Sequence, residues 1–163
     1  YRKAIVQRPD FAETHYNLGN TLKELGKLDD SEASLRKAIS LEPDFFEAYN
    51  NLGITFHRLN MYEKAKRSYE KAIEINKNYT TAYYNLALTL EKLNKYDEAE
   101  INYTNTLKLK PSHDEALLGR GEILIKKGKY DKVAFHRVIK DTLVQAGDLE
   151  FGRRNNLNYS FVQ

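Results

Sequence analysis

Residues 43–76 read PDFFEAYNNLGITFHRLNMYEKAKRSYEKAIEIN, and moving that stretch by 34 positions in either direction lays like residue on like. Pro9 and Pro111 fall on the same grid as Pro43, with Lys77 at the vacant point, so every proline of the chain is placed. The step links Leu18, Leu52 and Leu86, then Gly19, Gly53, Ala87 and Gly121, then Leu22, Phe56, Leu90 and Leu124. Further along each unit it links Ser31, Ala65 and Ala99, then Leu35, Tyr69 and Tyr103, then Ala38, Ala72 and Thr106, and last Ile39, Ile73 and Leu107. Within each half-unit the apolar positions recur every three or four residues, which is the face of an amphipathic helix. Each unit therefore holds two helices. A hairpin of this size cannot bury its apolar face alone, so neighbouring units must stack.

The residues between the helices fit that reading. Gly26, Asn60, Asn94 and Gly128 recur where the first helix of each unit should stop, and Gly or Asn takes a left-handed helix C-terminus at least steric cost. Asp29, Glu63, Asp97 and Asp131 follow, where a carboxylate would open the second helix against free N–H groups and the positive end of the dipole. Proline closes the unit because it cannot continue a helix interior. Gly19 against Ala38, and Gly53 against Ala72, are expected to let the two helices approach closely.

These hydrophobic, small-residue and proline columns resemble the tetratricopeptide repeat family over about residues 1–144. The resemblance implies an all-α, right-handed α-solenoid of stacked antiparallel helix pairs. Units are expected at 9–42, 43–76, 77–110 and 111–144. YRKAIVQR before Pro9 matches LRKAISLE before Pro43, so residues 1–8 read as the last helix of a preceding repeat. The fourth unit departs from the pattern. Tyr130 to Phe135 is five residues where Tyr62 to Tyr69 and Tyr96 to Tyr103 are seven. A loss of two residues turns an apolar face by about 200°, so its second helix is expected to be irregular, unless Val133, Ala134, Val138 and Ile139 form a face without any deletion. After Gly147 the helical period is lost, and Leu157, Tyr159 and Phe161 alternate as in a strand. Residues 145–163 read as a C-terminal tail or the start of a further domain.

Composition narrows the function classes. Lys plus Arg number 26 against 23 for Asp plus Glu, so no strong field of one sign draws the chain to nucleic acid. The chain has no Cys, which excludes disulfides, thiolate catalysis and Cys-based zinc sites. Its apolar stretches are broken well short of the roughly 18 residues a membrane span needs, so no membrane insertion is expected. His15, His57, His113 and His136 form no metal-binding spacing. No phosphate loop, nucleophile elbow or carboxylate pair appears. Neither a catalytic residue, nor a metal, nor a cofactor is expected. The compartment is left open, with a cytoplasmic one favoured.

The expected role is to hold a protein or peptide in the concave face lined by the first helices. Spacing of three and four places Glu13, Tyr16, Asn17, Asn20, Lys23 and Glu24 on that face. The same step continues it through Glu47, Asn50, Asn51, Ile54 and His57, then Thr81, Tyr84, Asn85 and Leu88. Asn17, Asn51 and Asn85 form a column ended by Gly119. An asparagine amide both donates and accepts, so each rung can pair with the backbone of one guest residue. The column resembles the asparagine ladder in the tetratricopeptide arm of O-GlcNAc transferase, which implies an alternative role as the substrate-recruiting arm of a larger enzyme such as a glycosyltransferase. Tyr16, Tyr84, Ile54 and Leu88 are candidate side-chain pockets, with Asn20 and Asn50 beside them. Family members that clamp acidic chaperone tails use three cations at positions held here by Tyr16, Thr81 and Asn85, so that binding mode is not expected. A third reading is self-association as a homo-oligomer through the solenoid ends or the tail.

Overall fold

The computed structural model describes residues 11–128. The expectations for residues 1–8, for the second helix of the fourth unit and for residues 145–163 lie outside them. Among the described residues there are seven helices and no strand. They are α1 (Ala12–Glu24), α2 (Leu28–Leu41), α3 (Phe46–Arg58), α4 (Tyr62–Ile75), α5 (Thr80–Lys92), α6 (Tyr96–Leu109) and α7 (Asp114–Lys126). Helices α1, α3 and α5 each pack on the next helix to make a hairpin, and α2, α4 and α6 each pack on the first helix of the following unit. The first helices also touch, α1 on α3 and α3 on α5. The result is an α-solenoid of the tetratricopeptide type.

Each first helix ends as its sequence dictates. Gly26, Asn60, Asn94 and Gly128 all have positive φ, between 58° and 73°. In the first three hairpins the N–H two residues past the C-cap returns to a carbonyl of the last turn: Lys27 to Leu22, Met61 to Phe56 and Lys95 to Leu90, each at 2.9 Å. That is the Schellman closure, and it aims the chain into the second helix.

The second helices start at Leu28, Tyr62 and Tyr96. Their N-caps are Lys27, Met61 and Lys95, with no capping side chain. Asp29, Glu63 and Asp97 sit inside the first turn, where they meet the dipole and are not themselves the N-cap residue. Two of them reach the following unit instead: Lys95 bonds Glu63 at 3.0 Å, and Lys127 bonds Asp97.

Leu35, Phe56, Tyr69, Leu90, Tyr103 and Ile123 belong to one continuous buried cluster running through the stack. Leu52 and Leu86 are buried, but Leu18 at the end of the column is half-buried. The close approach at the glycines involves other partners than Ala38 and Ala72. A methyl group on Gly19 would stand 2.7 Å from the Leu35 side chain, and one on Gly53 would stand 2.5 Å from the Tyr69 ring. The larger residue of each second helix rests on the bare glycine backbone of the first.

Candidate partner-binding site

The concave face of such a stack is built from the first helices, so the site is a set of columns crossing α1, α3, α5 and α7. One column is Tyr16, Asn50, Tyr84 and Leu118. Beside it run Asn17, Asn51, Asn85 and Gly119, then Asn20, Ile54, Leu88 and Glu122, then Lys23, His57, Glu91 and Ile125.

The asparagines are joined to the preceding unit. Asn51 donates from Nδ2 to the Tyr16 hydroxyl at 3.0 Å and to the Glu47 carbonyl at 3.1 Å, while its Oδ1 accepts from Lys23 Nζ at 2.8 Å. Asn85 donates from Nδ2 to Asn50 Oδ1 at 3.0 Å. The bonds that Asn51 and Asn85 donate to Tyr16 and Asn50 both span 35 positions, so each rung grips the neighbouring column of the previous helix. Asn51 is buried and Asn85 half-buried. Asn50, at 2% exposure, is the most deeply buried asparagine of the set.

The other two asparagines stand apart from this chain of bonds. The Asn17 amide makes no hydrogen bond among the described residues, and its carbonyl accepts from Thr21 Oγ1 at 2.9 Å. Asn20 turns Oδ1 inward, where that atom is buried without a partner.

Lys23 was expected on the open face, yet it is buried, at 7% exposure. Burial lowers its pKa, with Glu24 opposing the shift and Arg58 adding to it. Glu24 lies 3.6 Å away, and Arg58 closes over the site by donating to the Lys23 carbonyl at 2.9 Å. The ammonium is thus a structural donor to Asn51.

The apolar members fall toward the C-terminal side. Ile54, Tyr84 and Leu88 are half-buried and packed against the core cluster. Tyr16 lies against Phe45, ring centroids 4.8 Å apart, and Tyr84 against His113 at 4.7 Å. Burial raises the Tyr84 pKa, as do Glu115 and Glu91, so its hydroxyl stays protonated near neutrality. Leu118, the next member of the Tyr84 column, is 51% exposed. The sequence reading stopped at Leu88 and missed it, although the step of 34 from Tyr84 points to Leu118.

Gly119 ends the ladder for a visible reason. A methyl there would lie 2.5 Å from Tyr103 Cζ and 2.6 Å from its hydroxyl. In the second unit Tyr69 rests on Gly53 of its own hairpin, but Ala87 fills the equivalent place in the third. Tyr103 rests on the next unit instead, and its hydroxyl donates to Glu91.

Among the described residues no helix is long and apolar enough to cross a membrane, and no group of three or more His, Asp or Glu side chains could hold a metal ion. The solvent-open hollow lined by Asp97, Glu100, Ile101, Thr104, Asn105 and Lys108 lies along α6, away from these columns.

Tetratricopeptide repeat family models match residues 46–79, residues 19–60, and residues 1–33 with 68–101. A model of the cyclophilin type peptidyl-prolyl cis-trans isomerase matches residues 122–161. Comparison with curated protein sequences returns no match. Among solved structures, the crystal structure of MamA is similar at 28% identity and a TM-score of 0.81, over 91% of this chain and 87% of that one. The first TPR of Spaghetti (RPAP3), bound to HSP90 peptide SRMEEVD, is similar at 25% identity and a TM-score of 0.71, over 72% of this chain and 93% of that one. The Arabidopsis OM64 TPR domain shares the fold at 23% identity and a TM-score of 0.67, over 69% of this chain and 93% of that one.

Proposed function

Because the chain belongs to the tetratricopeptide repeat family, whose members are protein-interaction modules, we propose that its concave face holds an extended peptide segment of a partner protein. The carrying observation is the division of the columns into two chemistries. Asn17 and the free Oδ1 of Asn85 offer polar contacts to a guest backbone, while Ile54, Tyr84, Leu88 and Leu118 offer a half-open apolar patch. Asn50 and Asn51 serve the groove mainly by fixing its wall, and Tyr16 and Asn20 border it.

Magnitudes assign the affinity to the apolar patch. Each backbone bond adds about 0.5–1.5 kcal/mol net, so two rungs fall well short of the roughly 8 kcal/mol of a micromolar complex. Apolar anchors must supply the rest.

The test is selection of displayed random peptides on the immobilised chain. Leu88→Ala or Leu118→Ala should weaken the selected peptides tenfold or more, and Asn85→Ala a few-fold, with folding retained. Full affinity in all three variants would refute the groove. The peptide SRMEEVD serves as a control: Tyr16, Thr81 and Asn85 supply no cations for its carboxylates, so it should not bind.

The isomerase match supports a second reading, in which the stack is the substrate-recruiting arm of a peptidyl-prolyl isomerase. Uncatalysed prolyl isomerisation takes tens to hundreds of seconds, so acceleration by the chain is simple to detect. A rate raised in proportion to chain concentration would favour the arm; an unchanged rate would leave the binding module.

A further inference from the structure

His57 lies on α3 in the column between Lys23 and Glu91. Its Nδ1 is 2.9 Å from the hydroxyl oxygen of Thr89 on α5. That hydroxyl has a single hydrogen, and the hydrogen is already given to the Asn85 carbonyl at 2.9 Å. With that hydrogen on the carbonyl, Thr89, which Tyr69 on α4 also meets, accepts from His57, and Nδ1 carries the ring proton. A neutral imidazole has one N–H, so Nε2 is left as a bare acceptor.

The surroundings hold the ring in place. Tyr62 on α4 meets it edge to face at 5.2 Å and 72°. Thr89 is fully buried and its hydroxyl is fixed, so the ring cannot turn over without losing its bond. Nε2 is outside the interior: the buried polar side-chain atoms without a partner among the described residues are Asn20 Oδ1, Asp114 Oδ1 and Arg120 Nε. Burial, and then Lys92 on α5, lower the His57 pKa and favour the neutral ring. Of the other charges nearby, Arg58 on its own helix turns toward Lys23 and Glu24 of α1, while Glu91 on α5 is bonded by Tyr103 and Lys126.

We propose that His57 Nε2 is a specificity-determining acceptor of the groove, set by the Thr89 hydroxyl to take an N–H from the guest peptide. This rests on the groove reading above. It adds an acceptor with no competing donor of its own, unlike the amides, and it makes binding depend on pH. Protonation puts a hydrogen on Nε2, so affinity is lost as pH falls through the His57 pKa, which lies below 6.5.

Two measurements test it on the full chain. Long-range nitrogen–proton correlation of the 15N-histidine-labelled protein at pH 7.5 should show His57 protonated at Nδ1 and bare at Nε2; the opposite tautomer overturns the inference without any guest. Peptides selected by display at pH 7.5 should then bind roughly three- to tenfold more weakly at an acid pH where the same spectra show His57 protonated. His57→Asn, which keeps a donor for Thr89 and removes Nε2, should bind weakly at both pH values. His57→Gln, which restores an acceptor near Nε2, should recover affinity and lose the pH dependence. Peptides indifferent to both variants and to pH overturn the role of Nε2 and leave the groove standing. Failure to select any peptide overturns both.

Discussion

Asn51 commits both amide hydrogens and one oxygen lone pair to its own chain, and that decides what its loss would do. Asn51→Ala removes the acceptor of a buried ammonium as well as the donor to Tyr16. Leaving a buried group unpaired costs about 1–3 kcal/mol, against about 0.5–1.5 kcal/mol for an ordinary bond. Urea unfolding should therefore show Asn51→Ala to be clearly destabilised and Asn85→Ala only slightly. Equal losses would mean that Lys23 finds water instead. The sequence placed the asparagines in one column because a column depends only on the repeat step. It did not separate the saturated rung from the open ones, since that depends on what stands 28 and 35 positions away in the fold. His57 gives a second residue-scale expectation. Its pKa is lower in the folded chain than the ordinary 6.5, so the unfolded chain binds the proton more readily and stability rises with pH across that window. The His57 contribution is thus complete above about pH 6.5 and declines as pH falls from there through the folded value. The difference in urea midpoint between wild type and His57→Gln, measured from pH 7.5 down to 5, should change along that interval.

At the scale of the helix, the punctuation carries most of the fold. Asn60 holds φ at 59° and donates from its backbone to His57. A β-carbon costs about 1–2 kcal/mol in that conformation, and asparagine bears it better than most residues. Asn60→Ala should lower the melting midpoint while Asn60→Gly should not; equal loss in both would assign the effect to the asparagine side chain, whose Oδ1 accepts from Tyr62. Gly53→Ala puts a methyl into the Tyr69 ring and should cost about 1–3 kcal/mol by overpacking. The turns were legible because left-handed backbone restricts residue type directly. The glycine partners were not, because periodicity gives the face of a helix but not how far a tyrosine reaches across it. Which residue would be the N-cap was not legible either, because a carboxylate suits the N-cap and the first turn alike. In the fourth unit the two-residue offset from Tyr130 to Phe135 lies outside the described residues. It falls inside the stretch that the isomerase family model matches.

At the scale of the whole stack, the described helices contact chiefly their chain neighbours, with lighter contacts of α1 on α3 and of α3 on α5. Stability in such a stack is close to a sum of unit and interface contributions, so damage at one junction weakens the coupling between the units on either side. Leu86 belongs to the buried cluster shared across units and is 5% exposed. Leu86→Ala should cost about 2–5 kcal/mol, felt first as faster amide exchange in α5 and α6 and in the helices packed on them. A guest lying along the groove touches α1, α3, α5 and α7 at once and supplies a connection that the interfaces lack. At a hundredfold excess over its Kd it stabilises the folded chain by about 2.7 kcal/mol, comparable to the lesion. Hydrogen exchange on Leu86→Ala with a selected peptide should then recover protection in all four first helices together. Recovery confined to one helix would mean that the guest sits in a single pocket, and the columns would lose their role as a continuous track.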